Sequence, residues 1–79
     1  MTNLRQYTID QRREAINQVV ANKRDREILF MRLIDGMSYQ EISDEVHVSV
    51  RRIGKILNVN CAVIGDYLDS KRKKHFRFF

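Results

Sequence analysis

Apolar residues along this chain recur at helical spacing, and the two-residue alternation of a strand is hard to find. Residues 1–7 read as a flexible, frayed N-terminus. Thr8 or Asp10 can cap a first helix running to about Ala21, with Ile9, Ile16, Val19 and Val20 on one stripe. Asn22-Lys23 interrupts the pattern. A second helix is predicted over roughly 24–35, and its centre, ILFMRLI, is apolar nearly all round, which suits the middle of a small bundle. Asp35-Gly36 ends it: Gly36 can take a positive φ without steric penalty, and Met37 can cover the exposed last turn.

Ser38 opens a third helix, predicted over 38–46. Ser38-Tyr39-Gln40-Glu41 has the capping-box form, and Ile42 and Val46 give the helix a buried edge. The corner VHVSV then reverses the chain so tightly that a positive φ is needed. His47 is among the non-glycine types enriched there, with Val46 and Val48 as apolar anchors on either side. Ser43 is small, as a close crossing of two helices requires. Ser49 caps a fourth helix, in which Ile53, Ile56, Leu57, Ile64 and Leu68 share one face while Arg51, Lys55, Asn58 and Asp66 fall opposite. Asn58, Val59 and Asn60 are poor helix formers. The reading therefore favours a break there, with Asn60 capping a fifth segment to about Leu68. The end of the chain, SKRKKHFRFF, is basic and aromatic without a clear period. These elements predict an all-α fold: a small bundle of four to five helices containing a helix-turn-helix in residues 8–69, followed by a basic aromatic tail, 70–79.

Composition agrees with one small soluble domain. The chain has 79 residues, 43% hydrophobic and 32% charged, with no proline and three glycines. Charge changes the picture more. The formal net charge is +5, but residues 1–35 carry +2, residues 36–49 carry −3 and residues 50–79 carry +6. Such asymmetry implies an anionic partner for the last third, nucleic acid before membrane surface. Taken alone, it is equally compatible with solvated surface charge.

Cys61 is the single cysteine, so no intramolecular disulfide forms, which fits a reducing cytoplasm. Cys61, His47 and His75 lack metal-ligand spacing, and no cofactor is expected. No signal peptide or long apolar run appears, so no membrane association is expected. Paired acids, a nucleophile–base set and a phosphate loop are all missing, so an enzyme is not expected.

The start of the fourth helix carries the functional signal. A helix N-terminus is partially positive and favours acids, yet Arg51 and Arg52 stand in its first turn with no acid beside them. A phosphate would supply the missing negative charge. Over a recognition helix of residues 50–58, Arg51 and Lys55 can reach guanine edges and Asn58 adenine. Ser38, Gln40, Ser49 and Arg52 sit where phosphates pass. Tyr39 either offers its hydroxyl to a phosphate or simply packs its ring. Gly54 costs the helix roughly 1 kcal/mol, and suits close approach either to DNA or to a neighbouring helix. Asp44 and Glu45, at the negative end of the third helix, have no clear role beyond pairing with arginines or facing a protein partner.

The segment REAINQVVANKRDREILFMRLIDGMSYQEISDEVHVSVRRIGKIL resembles the C-terminal promoter-binding region, region 4, of bacterial sigma factors. Arg26-Glu27, Arg32, Asp35-Gly36, Ser38-Tyr39, Glu41-Ile42 and Val48-Ser49-Val50 carry the match, over roughly residues 12–58. The helix-turn-helix of LuxR-type regulators is similar but less close. The chain departs from the pattern at Ser43, where alanine is usual, and at His47, where glycine is frequent. The resemblance implies a recognition helix in the major groove and contact with RNA polymerase. Without the sigma domains that bind core enzyme and melt promoters, the expectation is a small regulator of phage or mobile-element type rather than a complete sigma factor.

Two functions are thus expected in order. The first is a sequence-specific transcription regulator binding double-stranded DNA. The second is a sigma-like module docking on RNA polymerase or another factor with little DNA specificity. A weak homodimer through residues 59–68 is a further expectation if the fourth helix continues through Asn58–Asn60 and leaves Val59 and Val63 outside. A break there would turn both valines inward against the first helix.

Overall fold

The computed structural model describes residues 4–76, and side chains for residues 4–71. A 3-10 turn at Leu4–Gln6 precedes four helices: α1 (Ile9–Val19), α2 (Lys23–Leu33), α3 (Tyr39–Val46) and α4 (Val50–Phe76). No strand occurs among the described residues, and none of their helices is long and apolar enough to cross a membrane.

Local chemistry explains the starts. Thr8, not Asp10, caps α1: its hydroxyl accepts from the Gln11 amide, and the Gln11 side chain accepts from the Thr8 amide. The Asn22 side chain accepts from the Asp25 amide and opens α2 one residue earlier than expected. Gly36, at φ 71°, closes the C-terminus of α2, where the Met37 amide donates back to the Met31 carbonyl at 3.0 Å.

Ile16, Ile28, Leu29, Ile42, Ile53 and Ile64 are fully enclosed, one or two from each helix, so all four helices meet in one core. Tyr7, Ala15, Val20, Leu57 and Leu68 complete it. Ile9, expected on the buried stripe of α1, is instead 46% exposed in that helix's first turn. Phe30, Met31 and Leu33 of α2 pack against the core while staying partly accessible.

Three expectations need correction. First, α4 does not break at Asn58–Asn60 but runs unbroken for 27 residues, about 40 Å at 1.5 Å per residue. Leu57, Ile64 and Leu68 keep one helical phase across the asparagines and all reach the core. Burying each is worth about 1.5–3 kcal/mol, more than the few tenths per residue lost to poor propensity. Asn60, expected as a cap, donates its side-chain amide to the Ile56 carbonyl at 2.8 Å inside the helix.

Second, the N-terminus is tied down from residue 4. Tyr7 is buried, and its hydroxyl donates to the Asp69 carboxylate of α4. Third, no element ends at residue 69: α4 continues to Phe76, and Lys71 bonds Glu14 of α1 at 2.6 Å. The basic and aromatic side chains expected to act from the tail, Arg72 to Phe79, lie outside the described side chains. With α4 outrunning its partners, the molecule measures 48 × 21 × 19 Å.

Candidate nucleic-acid interface

The site is built on the corner between α3 and α4. Ser38 caps α3 in a complete capping box: its hydroxyl accepts from the Glu41 amide at 3.2 Å, and its own amide donates to the Glu41 carboxylate at 2.9 Å. The Ser38 amide first, and the Ser38 hydroxyl after it, stabilise the ionised form and hold the Glu41 carboxyl below the usual carboxylate range. His47 takes the left-handed conformation, φ 57° and ψ 41°, at the C-cap of α3, as the corner demanded. Val46 and Val48 pack against the core on either side of it.

Ser49 opens α4, its hydroxyl accepting from the Arg52 amide at 3.2 Å. The first turn of α4 holds no acid. Arg51, Arg52, Lys55 and Asn58 are exposed, and neither arginine nor Lys55 forms an ion pair among the described residues. Arg51, Lys55 and Asn58 share one face of the helix, and Arg52 lies about 100° round from Arg51. Arg52 and Lys55 also border a shallow cleft beside the start of α2, with Asp25, Ile56, Val59 and Asn60.

The α3 side chains are partly committed. The Tyr39 ring is half-buried, with the Arg32 guanidinium 5.0 Å from its centroid. A Cβ built on Gly54 would sit 3.6 Å from the same ring, which is ordinary contact. The fold therefore does not itself require a glycine at 54. Gln40 donates to Asp44 at 3.0 Å, which gives Asp44 an amide partner rather than an arginine. Cys61 is half-buried on α4; burial pushes its thiol pKa up, and the positive charge of Arg32 opposes this only in part. It therefore stays a protonated thiol.

Sequence reading missed the contacts that two arginines make beside this corner. Arg32 donates to the Met37 carbonyl at 2.9 Å, and Arg12 donates to the Leu33 carbonyl at 2.9 Å. Arg32 had shown in the sequence only as part of the family resemblance and as a cation in the last turn of α2, and Arg12, early in α1, gave no signal.

A short helix and a long one meeting at a tight αL corner, with a cationic N-terminus on the second, define a helix-turn-helix in an all-α fold. Residues 22–60 match the family model described as Sigma-70, region 4. Residues 22–60 are thus similar to a region 4 helix-turn-helix, as the sequence resemblance implied. No curated protein and no solved structure matches the chain.

Proposed function

We propose that the chain is a sequence-specific transcription regulator that binds double-stranded DNA. Residues 50–58 of α4 enter the major groove while α3 crosses the backbone. One observation supports this most: three exposed cations, Arg51, Arg52 and Lys55, without ion-pair partners among the described residues, at a helix start that holds no acid. Arg51 and Lys55 read guanine edges and Asn58 reads adenine. Ser38, Gln40, Ser49, Arg52 and the Tyr39 hydroxyl lie along phosphates. The chain then acts in the cytoplasm, as a small regulator of phage or mobile-element type.

Selection from a random duplex pool, followed by gel shifts at two salt concentrations, tests the reading. A defined motif should emerge, with affinity falling steeply as salt rises. Arg51→Ala should cost about 1–3 kcal/mol on that motif and relax one base choice, while Arg52→Ala should weaken all sequences alike. Recovery of no motif, or two variants that bind like the parent, would remove the groove assignment.

A second reading, docking on RNA polymerase or another factor, has its own support. Val59 and Val63 stand one turn apart on the unbroken α4, 59% and 45% exposed. The same pair suits a weak homodimer. Two α4 helices packed antiparallel about residue 61 set Val59 of each copy against Val63 of the other, and bring Lys55 near Asp66. So small a patch falls well short of the ~800 Å² per partner of a stable interface. The pairing therefore forms on DNA, over two half-sites about one helical turn apart.

A further inference from the structure

The first turn of α4 holds an exposed valine that neither the cap nor the core uses. Ser49 makes the cap, its hydroxyl accepting from the Arg52 amide at 3.2 Å. Ile53 and Leu57 are what this end of α4 gives to the core. Val50 stands outside it, 38% exposed. A β-branched residue also forms helix less readily than alanine or the straight-chain types. Helix formation and packing therefore leave this valine unexplained.

Gly54 lies one turn on, on the same side of the helix as Val50. A glycine there weakens the helix, and the fold does not ask for it: an added Cβ would meet only the Tyr39 ring, at 3.6 Å. Val50, the bare backbone at Gly54 and the edge of that ring together border a shallow apolar slot between α3 and the face of α4 that carries Arg51 and Asn58.

The charges around the slot select its occupant. Arg51 and Arg52 follow Val50 directly, and the first turn of α4 holds no acid. An apolar protein side chain seated there would take water from these cations without pairing them. A duplex brings its own phosphates. Among the base edges of the major groove, thymine alone offers an apolar group, its C5-methyl. One valine beside one glycine suits a group of that size.

We infer that Val50, with Gly54 and the Tyr39 ring, receives the C5-methyl of a thymine next to the guanine read by Arg51. The inference rests on the DNA-binding reading above and deepens it. It gives a base to an apolar side chain, whereas Arg51, Lys55 and Asn58 read by hydrogen bonds. Val50 and Arg51 are consecutive, so their targets are neighbouring base pairs.

The test uses base analogues in a duplex selected by the parent protein, with affinity measured by fluorescence anisotropy. Each thymine is replaced in turn by deoxyuridine, which lacks only the C5-methyl. One replacement, beside the guanine whose preference Arg51→Ala relaxes, should weaken the parent about fourfold, the worth of one buried methyl group. Cytosine at that position should also bind more weakly, and 5-methylcytosine should regain about fourfold over cytosine. Val50→Ala, checked for helical content by circular dichroism, should bind thymine and deoxyuridine duplexes alike. The analogue comparison on the parent needs no variant and decides the matter even if alanine is not tolerated. Equal affinity for thymine and deoxyuridine at every position overturns the inference and leaves the cationic readout intact. A loss that persists undiminished in folded Val50→Ala gives the methyl group to another side chain and overturns it too. A parent that binds no duplex at all overturns the DNA-binding reading itself.

Discussion

The Arg32 guanidinium lies over the ring of Tyr39, 5.0 Å from its centroid, and joins the end of α2 to the start of α3. The ring therefore has a structural task that its hydroxyl does not share. Tyr39→Phe should melt within about 2 °C of the parent, because the stack and its packing survive. It should lose about 0.5–1.5 kcal/mol of affinity for every duplex, the worth of one hydrogen bond. Tyr39→Ala should lower both stability and affinity. Melting curves and binding isotherms of the two variants separate ring from hydroxyl; equal DNA affinity of parent and Tyr39→Phe would confine Tyr39 to packing.

Gly54 offers the reverse separation. An added methyl group meets only the Tyr39 ring at an ordinary distance, and alanine is the better helix former by up to about 1 kcal/mol. Gly54→Ala should raise the melting temperature by roughly 4–8 °C per kcal/mol for a domain of this size. On DNA it should bind more weakly, because the methyl group stands beside the face that carries Arg51 and Asn58. A variant both more stable and tighter binding would show that DNA does not approach the helix there.

Acid should loosen the α3 cap. The folded pKa of Glu41 is depressed by the Ser38 amide and hydroxyl. Its contribution is therefore complete above the unfolded carboxylate value and is lost as pH falls through the folded one. Melting temperature measured from pH 6 down to pH 3 should fall less steeply for Glu41→Gln than for the parent, since glutamine keeps the box without titrating. Matching acid limbs would remove Glu41 from the pH response.

Pairing through α4 predicts a change visible only with DNA. Val59→Lys/Val63→Lys should leave the free protein monomeric and folded, since both side chains are exposed. Sedimentation of the parent on a two-half-site duplex should show two protomers per duplex, and the variant should show one. Two protomers for both proteins would place the pairing surface elsewhere.

How far the sequence reached depended on how local each cause was. The Ser38–Glu41 box, the αL corner at His47 and the close of α2 at Gly36 each arise within a few residues, and all were legible. Asn58–Asn60 misled because local propensity argued for a break. The burial of Ile64 and Leu68 that overrides it depends on α4 keeping phase against the rest of the core. The Tyr7–Asp69 bond joins residues 62 apart, and no periodicity announces it. The Arg12 contact was invisible for the same reason: Arg12 reaches a carbonyl 21 positions away. The exposed cations Arg51, Arg52 and Lys55 were readable because their signal is a departure from ordinary helix chemistry, written in adjacent residues.

The unbroken α4 has one more consequence. The turns that carry Arg51 and Lys55 belong to the same rod that presents Ile64 and Leu68 to the core and Asp69 to Tyr7. The domain thus has no separate reading head that can be loosened or re-aimed while its body stays put. On the proposed DNA-binding reading, folding and binding become a single coupled equilibrium, in which duplex at a hundred times its dissociation constant adds about 2.7 kcal/mol to the whole domain. Damage runs the other way along the rod: Leu68→Ala, roughly 20 Å from Lys55 at 1.5 Å per residue, would register in a binding assay as a weaker regulator although it touches no nucleotide.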